Sequence, residues 1–496
     1  MKKTLFAAAA MLVLLTACAQ NDTAISDPAQ TTSAVEQTEA VTEVVEEVPY
    51  PHDAVDYGGK TFTILNCEDE LWPGTFHVLD YEGETGDTIQ DAVYNRARNT
   101  EERFHITLAI EKKPYLELSS SLNKVIMSGE ALYDAAYIPL STSPAPLLGK
   151  NGLNLYDIDS MHLEDEWWHR LFIEETTLFG NTLYAMPDFC NLMGYTRVSA
   201  LAFNKKLLDT YDLGVPYDLV REGKWTLDKM REYIAQVVNL NGDASFADSG
   251  KTTNAVYGYG AQHEGHVSTL MVSGGESLVV TDALGVPAMR ADLTVLESTY
   301  AKLAATFSTE GFGLMKNGED YSGDGSAADL FSAGRLLFRT IDIGECAAEF
   351  FRKYEFEYGV LPNPKIDETQ DAYHSAISEY TLSLVVPITA ADPEMTGSVI
   401  NYMSYLGKTE IIPELQTALC YKGMRDDDSI EMMDIIMNSI YLDLGYVQSW
   451  TTDVVKRLAG DIMKDNLNVV STIEKSKTQI DKSVEKAIAS MTDGDA

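Results

Sequence analysis

The stretch "TIQDAVYNRARNTEERFHITLAIE", Thr88–Glu111, predicts a helix that leads directly into a β-strand. Its apolar residues recur at the spacing of one helix face, at Ile89, Val93, Ala97 and Phe104. Asp87 or Thr88 can cap the start of the helix with a side-chain oxygen. Ile106–Ile110 then indicates a strand, because the segment is apolar and contains β-branched residues. A helix followed at once by a strand is typical of α/β folds.

The same alternation extends on both sides of this stretch. Thr61–Leu65 is a predicted strand, while "LELSSSLNKVIMSGE" and "YDAAYIPL" indicate a further helix and a buried strand. The segments "KMREYIAQVVNL", "AVYGYGA", "DLTVLESTYAKLAATF" and "RLLFRT" repeat the pattern, and the chain from Met395 onward is mainly helical in pattern. Strands that alternate with helices predict a parallel sheet, so we expect an α/β fold.

The first residues have the pattern of a secretion signal. Lys2 and Lys3 precede Leu5–Ala17, an apolar run shorter than the roughly 20 residues that cross a bilayer. The following Leu15-Thr16-Ala17-Cys18 resembles the lipobox of bacterial lipoproteins, in which the signal is removed and the cysteine is acylated. We therefore expect residues 1–17 to be a lipoprotein signal peptide and Cys18 to carry the lipid. The alternative is an ordinary signal peptide with an incidental cysteine.

Composition restricts the function of the rest of the chain. Of the 496 residues 45% are hydrophobic, which is enough for a large folded core, and acidic residues outnumber basic ones by 76 to 37. The net charge of −39 disfavours nucleic acid and anionic lipid as partners. Residues 18–56 contain no lysine or arginine and predict a disordered acidic linker.

The other four cysteines are far apart in the chain and form no CxxC pair. They are Cys67, Cys190, Cys346 and Cys420. This spacing favours four separate buried thiols over disulfides or a zinc site.

Several segments, in this order, resemble the extracellular solute-binding proteins of ATP-binding-cassette importers, in particular those that bind sugars. "SALAFNKKLLDTYDL" looks like their crossover strand, and "KWTLDKM" is similar to a recurring turn in which Trp225 packs and Thr226 caps a helix. The segments that carry the resemblance are Gly86–Leu108, Ser199–Leu213, Pro216–Met230, Phe331–Phe338, Tyr358–Lys365 and Asp426–Ile436.

The resemblance implies a type II periplasmic-binding-protein-like fold, with two α/β lobes, a hinge and a ligand cleft between the lobes. It assigns residues 57–190 and 381–435 to lobe 1, and residues 191–380 and 436–496 to lobe 2. The expected crossings between the lobes are near Pro187–Tyr195, Ser378–Thr381 and Met432–Asn438. In this family the lobes close over the ligand by a hinge motion.

No motif in the sequence marks an enzyme. The sequence contains no GxSxG, HExxH or P-loop pattern, and no strand-linked GxGxxG. His263 and His266 are the nearest pair of histidines, but a polar loop explains them better than a metal site does. Asn239, Asn241 and Asp243 have some of the spacing of calcium ligands, but the rest of an EF-hand loop is missing. We predict no catalytic residue, no metal site and no cofactor.

Polar loops that contain aromatic residues are the predicted ligand contacts. Sugars place their apolar C–H faces flat on aromatic rings, while their hydroxyls need hydrogen-bonding side chains. Strand ends and the implied crossings supply the candidates, because small ligands settle there in α/β folds. The candidate ligand-binding residues are Glu68, Asp69, Trp72, Tyr137, Asp188, Tyr195, Arg339, Asp342, Glu379, Tyr446 and Trp450. Trp167 and Trp168 are assigned to packing.

The resemblance implies a monomeric receptor, anchored by lipid to the outer face of the cell membrane. It would capture a carbohydrate, in particular an oligosaccharide, and deliver it to the transmembrane subunits of an ATP-binding-cassette permease. No nucleic-acid partner is expected. The alternatives are a surface-anchored glycan-active enzyme, a receptor for a non-sugar solute such as a peptide, and an adhesin or sensor component.

Overall fold

The computed structural model describes residues 49–140, 150–246, 253–261, 264–309, 311, 313–314, 326–420, 427–463 and 468–492. The strands are β1 Lys60–Cys67, β2 Ile106–Lys113, β3 Ala135–Pro139, β4 Ser199–Asn204, β5 Tyr257–Gly260, β6 Val279–Thr281, β7 Pro287–Met289, β8 Gly313–Leu314, β9 Leu336–Asp342, β10 Tyr358–Leu361, β11 Ser375–Ala376, β12 Leu382–Val385 and β13 Ile440–Tyr441.

The α-helices are α1 Thr88–Phe104, α2 Leu118–Ser128, α3 Arg170–Thr176, α4 Met193–Thr196, α5 Lys205–Thr210, α6 Tyr217–Arg221, α7 Leu227–Val237, α8 Glu264–Val272, α9 Thr294–Phe307, α10 Ala327–Ser332, α11 Glu349–Arg352, α12 Pro393–Leu406, α13 Ile412–Leu419, α14 Asp427–Asn438, α15 Leu444–Val447, α16 Thr452–Met463 and α17 Val469–Thr492. Short 3-10 helices span Tyr115–Glu117, Leu155–Asp157, Asp159–Met161 and Ile343–Ala347, and a π-helical turn spans Gly407–Ile411.

Two separate sheets organise the fold. Sheet 1 has the order β12-β3-β1-β2, with β1 parallel to β2 and β3, and β12 antiparallel to β3. Sheet 2 has the order β10-β4-β9-β5-β8, with β4 antiparallel to both neighbours and β5 parallel to β9 and β8. We call sheet 1 with the elements packed on it lobe 1, and sheet 2 with its elements lobe 2.

Helix α1 shows how local sequence fixes an element that faces the junction between the lobes. The Asp87 side chain caps it by accepting hydrogen bonds from the backbone amides of Ile89 and Gln90. Arg96 is fully buried on its packed face, and its guanidinium donates to the carbonyl of Cys190 at 2.8 Å. A buried cation is tolerated there because backbone carbonyls accept hydrogen bonds from its two Nη atoms, and this ties α1 to the first segment that crosses between the sheets.

Two segments connect the sheets side by side. Met186 and Leu384 form an antiparallel bridge at one end, and Val198 and Ile377 form another at the other end. The first two expected crossings lie between these bridges.

The third connection differs from the expected one. Helix α14, whose first part was assigned to lobe 1, packs against β10 and α6 of lobe 2. The hydroxyls of Tyr217 and Ser429 are 2.8 Å apart, and Arg221 pairs with Glu431. The chain therefore leaves sheet 1 before α14, and the bounds of the lobes as a whole stay a prediction.

Three clusters of buried side chains form the core. One fills lobe 1 on β1, β2, β3 and β12, and one fills lobe 2 between sheet 2 and helices α7, α9, α16 and α17. The third cluster joins them: Ile89 and Val93 of α1 belong to the same cluster as Leu336 and Ile341 of β9. Trp225 lies in the lobe 2 cluster with no exposed surface, as predicted, and Trp167 and Trp168 are buried in lobe 1.

The folded body begins before residue 57. Tyr50 packs against Trp167, Tyr402 and Tyr405 with ring centroids 4.8–5.5 Å apart, and its hydroxyl donates to Asn401 Oδ1 at 2.7 Å. Residues 49–56, which were expected to belong to the linker, thus include an aromatic residue that packs among the aromatic side chains of lobe 1.

Several expectations at the N-terminus concern residues 1–48. The signal peptide, Cys18 and most of the linker lie outside the described residues. None of the helices in the described part of the chain is both long and apolar enough to cross a bilayer. Cys67, Cys190, Cys346 and Cys420 are buried free thiols.

Candidate functional site

The loops after β1 and β2 bring aromatic rings together at one edge of sheet 1. Because these strands are parallel, both loops leave the sheet at the same edge. Trp72 lies 5.0 Å from Tyr115 and 6.0 Å from Tyr380, between ring centroids. The Tyr115 hydroxyl donates to the Tyr380 carbonyl at 2.7 Å. We call these three residues the aromatic cluster; Trp72 is 42% exposed, so part of its ring is available to a ligand.

Arg197 connects the aromatic cluster to lobe 2. Its guanidinium lies 5.3 Å from the ring of Trp72, and its Nη1 is 2.6 Å from Asp342 Oδ2 at the end of β9. Burial raises the pKa of Asp342 to about 6, although the charge of Arg197 lowers it. A cation stacked on an aromatic ring and paired with a carboxylate thus bridges the two lobes.

A second ion pair fixes the turn after β9. Arg339 Nη2 lies 2.7 Å from Glu345 Oε2, and Glu345 Oε1 accepts a hydrogen bond from the backbone amide of Asp342 at 3.2 Å. The side chains of Asp342 and Glu345 cap the 3-10 helix reciprocally. This keeps the carboxylate that pairs with Arg197 in a fixed position.

The same turn touches the loop after β1 through two glycines. A Cβ atom on Gly344 would lie 2.0 Å from the carbonyl oxygen of Gly74, and one on Gly74 would lie 2.5 Å from the carbonyl carbon of Gly344. Such distances are far below van der Waals contact. The backbones of the two lobes therefore meet where no side chain fits.

Glu379 in the second crossing holds a third ion pair. It is 1% exposed, accepts a hydrogen bond from the Tyr446 hydroxyl at 2.6 Å, and lies 2.7 Å from Lys456 Nζ. Lys456 Nζ is also 5.2 Å from the centroid of the Tyr380 ring. Burial lowers the pKa of Lys456, but the charge of Glu379 and its hydrogen bond outweigh this and raise the pKa overall.

The indole of Trp450 is buried. Among the residues that the structure describes, no atom accepts from its Nε1, although the side chain is only 6% exposed. A buried N–H of this kind is costly unless a ligand or water oxygen accepts from it. Trp450 therefore stays a candidate for a polar ligand contact.

Five of the candidate residues lie outside this arrangement. The Tyr137 hydroxyl donates to Asp188 Oδ2 at 2.6 Å inside lobe 1, and both side chains are buried. The Tyr195 hydroxyl accepts from Gln416 at 3.1 Å on the side of α13. Asp69 is exposed and pairs with Lys112 at 2.6 Å, and Glu68 is exposed beside it. The role of these five residues in ligand binding stays a prediction.

The structure brings together Trp72, Arg339, Asp342, Glu379 and Tyr446 from the candidate set. It adds Tyr115, Arg197, Tyr380 and Lys456, which the sequence reasoning missed. Tyr380 directly follows Glu379 at a crossing and could have been found by the same rule. Lys456 lies in the first turns of α16, just after the loop that holds Trp450, but the rule considers loop residues and not residues on helices, so it did not select Lys456.

A crevice lies at the start of α1, next to the loop that follows β1. Its volume is about 240 Å³, and its lining includes Thr75 and Gln90 of lobe 1 and Ala347 and Arg352 of lobe 2. Both lobes therefore contribute to its walls.

In the loop that was a candidate for calcium binding, the carboxylate of Asp243 already accepts hydrogen bonds from nearby residues of the chain. Asp243 Oδ2 accepts from Thr253 Oγ1 and from the amide of Asn254, each at 2.6 Å. Within the described ranges, no three His, Cys, Asp or Glu side chains are grouped so that they could hold a metal ion. His263 of the candidate histidine pair lies outside these ranges.

Comparison with solved structures decides the fold. An ABC substrate-binding protein from Listeria monocytogenes in complex with cycloalternan matches 86% of this chain over 99% of its own, with a TM-score of 0.53 and 12% identity. A cyclic alpha-maltosyl-1,6-maltose binding protein from Arthrobacter globiformis matches 86% over 100%, with a TM-score of 0.55 and 11% identity. The chain has the type II periplasmic-binding-protein fold.

A further similar structure is a sugar transporter from Rhizobium etli in an open conformation. It matches 85% of this chain over 98% of its own, with a TM-score of 0.55 and 13% identity. No protein-family model and no curated protein matches the sequence. In this chain, the aromatic cluster and the three ion pairs lie at the junction of the two lobes.

Proposed function

We propose that the chain is a solute receptor that captures a carbohydrate between its two lobes and delivers it to a membrane permease. The observation that carries this proposal is the partly exposed aromatic cluster, flanked by charged groups that can bond hydroxyls. The sugar-binding proteins among the structural neighbours support the same ligand class. Catalysis forms no part of the proposal.

The proposed mechanism is a population shift between open and closed lobes. A sugar that contacts both lobes binds the closed form more tightly, and it stabilises that form by this difference in affinity. Trp72 and Tyr115 would bind from lobe 1, and Lys456 from lobe 2.

The proposed location is the outer face of the cell membrane. The basic pair, the short apolar run and the lipobox-like Leu15–Cys18 support removal of a signal and acylation of Cys18. Mass spectrometry of the membrane fraction tests this, since a mature protein that begins with an unmodified residue other than Cys18 contradicts it.

Calorimetric screening of mono- and oligosaccharides against the mature chain tests the ligand class. We expect at least one oligosaccharide to bind, and Trp72→Ala to weaken it by about 2 kcal/mol, or roughly thirtyfold, through loss of an aromatic anchor. Tyr156→Ala is the matched control, since Tyr156 is 41% exposed on lobe 1, away from the aromatic cluster. If a peptide or amino acid binds and every sugar fails, the carbohydrate assignment is wrong. Release of product from chromogenic glycosides would instead favour an enzyme.

A further inference from the structure

The charged side chains of the candidate site form three pairs of opposite sign. Arg197 pairs with Asp342, Arg339 with Glu345 and Lys456 with Glu379, at 2.6, 2.7 and 2.7 Å. The three carboxylate side chains are only 11, 12 and 2% exposed. All three pairs act within one region, because Asp342 experiences the charges of Glu345 and Glu379 as well as those of both arginines.

This pairing makes the site electrically balanced before any ligand enters. An anionic group on a ligand would have to be buried without a counter-charge, or take a cation from its carboxylate and leave that carboxylate buried and unpaired. A cationic group on a ligand would likewise have to be buried without a counter-charge, or take a carboxylate from its cation and leave that cation buried and unpaired. A hydroxyl carries no such cost, and it can form strong hydrogen bonds with groups that remain ion-paired.

We propose that the site selects an uncharged ligand and rejects uronic and other acidic sugars, with Glu379 as the residue that sets this selectivity through Lys456. The proposal rests on the proposed function and specifies its ligand class. Lys456 is the cation most open to a ligand, since its side chain is 28% exposed while that of Arg197 is 14% exposed and that of Arg339 is 1% exposed. Without Glu379, its ammonium group would be a ready partner for a carboxylate.

The test is a competition between neutral and acidic sugars of the same length. The mature chain is incubated with an equimolar mixture of neutral and uronate-containing oligosaccharides from partly hydrolysed polysaccharides, and the retained sugars are identified by native mass spectrometry. We expect neutral sugars to be retained over acidic ones by more than about tenfold. Preferential retention of acidic sugars overturns this inference but leaves carbohydrate binding intact. Retention of no sugar counts against the proposed function itself.

Glu379→Gln is the decisive variant, since it removes the counter-charge of Lys456 and leaves a side chain of nearly the same shape. We expect it to move the ratio of retained acidic to neutral sugars by about tenfold towards the acidic ones. Glu276→Gln is the control, because it makes the same change in net charge at an ion pair with Arg290 elsewhere in lobe 2. An equal shift in both variants would mean that overall charge, not this pair, sets the selectivity.

Asp342→Asn provides a second route if Glu379→Gln does not fold, which a thermal melt would reveal. It frees Arg197 in the same site, so the same shift towards acidic sugars is expected. An unchanged ratio in a folded variant contradicts the inference.

Discussion

Asp188 shows at the scale of one residue how burial controls ionisation. Its carboxyl group accepts hydrogen bonds from the Tyr137 hydroxyl and from the backbone amides of Cys190 and Asn191. Burial nevertheless outweighs these bonds and raises its pKa to about 6. The folded state therefore binds a proton more tightly than the unfolded state does.

This shift predicts a pH dependence of stability. Between about pH 4 and about pH 6 the folded state holds the proton that the unfolded state has lost, so the free energy of unfolding should fall as the pH rises, by up to about 3 kcal/mol from this group. The Asp188→Asn variant has no titrating group at this position. Its free energy of unfolding, measured with urea at pH 4, 5 and 6, should therefore fall less as the pH rises. The exposed Asp371→Asn should behave as the wild type. Equal slopes in all three proteins would contradict the assigned burial effect.

At this scale the sequence predicts types of residue better than pairings. Trp72 and Glu379 were found because aromatic and polar residues in loops are typical of sugar contacts. The pairing of Glu379 with Lys456 could not be found, because it joins a crossing to a helix far along the chain. Tyr137 and Asp188 are also of the residue types that are typical of sugar contacts, yet they are partners of each other inside lobe 1.

At the scale of elements, the contacts of Tyr50 with Arg103 and Tyr402 hold residues 49–56 on lobe 1. We call these contacts the Tyr50 clasp. Arg103 lies over the rings of Tyr50 and Tyr402 at 4.7 and 4.8 Å, and its Nη2 donates to the carbonyl of His52. His52 in turn lies 2.8 Å from Asp165. A short segment is thus held on lobe 1 by stacking, a cation and hydrogen bonds together.

Tyr50→Ala should release this segment. We expect the free energy of unfolding to fall by about 2 kcal/mol, since the variant loses a half-buried aromatic side chain. Cleavage within residues 49–56 by a nonspecific protease should also become faster. Val55→Ala, in the same segment but 44% exposed, is the control. If the protease cleaves both variants at the rate of the wild type, the clasp does not hold the segment.

Elements with strong local signals were predictable, and those that depend on distant partners were not. The helical spacing and Asp87 predicted α1, and the apolar runs predicted β1, β2 and β3. The pairing of β11 with β13 and the packing of α14 on lobe 2 have no local signal, because each is decided by contacts between distant parts of the chain.

At the scale of the whole molecule, the contact between Gly74 and Gly344 limits how closely the lobes approach. Gly344→Ala should place a methyl group against the carbonyl oxygen of Gly74 and hold the lobes apart, because packed atoms cannot overlap. We expect about tenfold weaker binding of a sugar identified by calorimetry, and a larger radius of gyration in X-ray scattering of the sugar-loaded protein.

Gly83→Ala is the matched control for this variant. A Cβ atom there would meet nothing within 4 Å, so closure should be unchanged. The φ angle of Gly344 is not in the positive range that strains residues other than glycine. An alanine at this position should therefore not prevent folding through backbone strain. Wild-type affinity and wild-type compaction in Gly344→Ala would show that the glycine contact does not limit closure.

The strand order of sheet 1 has a consequence for biosynthesis. Residues 136–139 of β3 pair with residues 382–385 of β12, so the first sheet in the chain cannot be completed until residue 385 has left the ribosome. Sheet 2, whose last strand ends at Leu361, can be completed earlier. Pairing over such a sequence separation is slow. Strand β12 is an edge strand of sheet 1, so the outer edge of β3 stays unpaired until late in translation, while β3, β1 and β2 can already pair with one another.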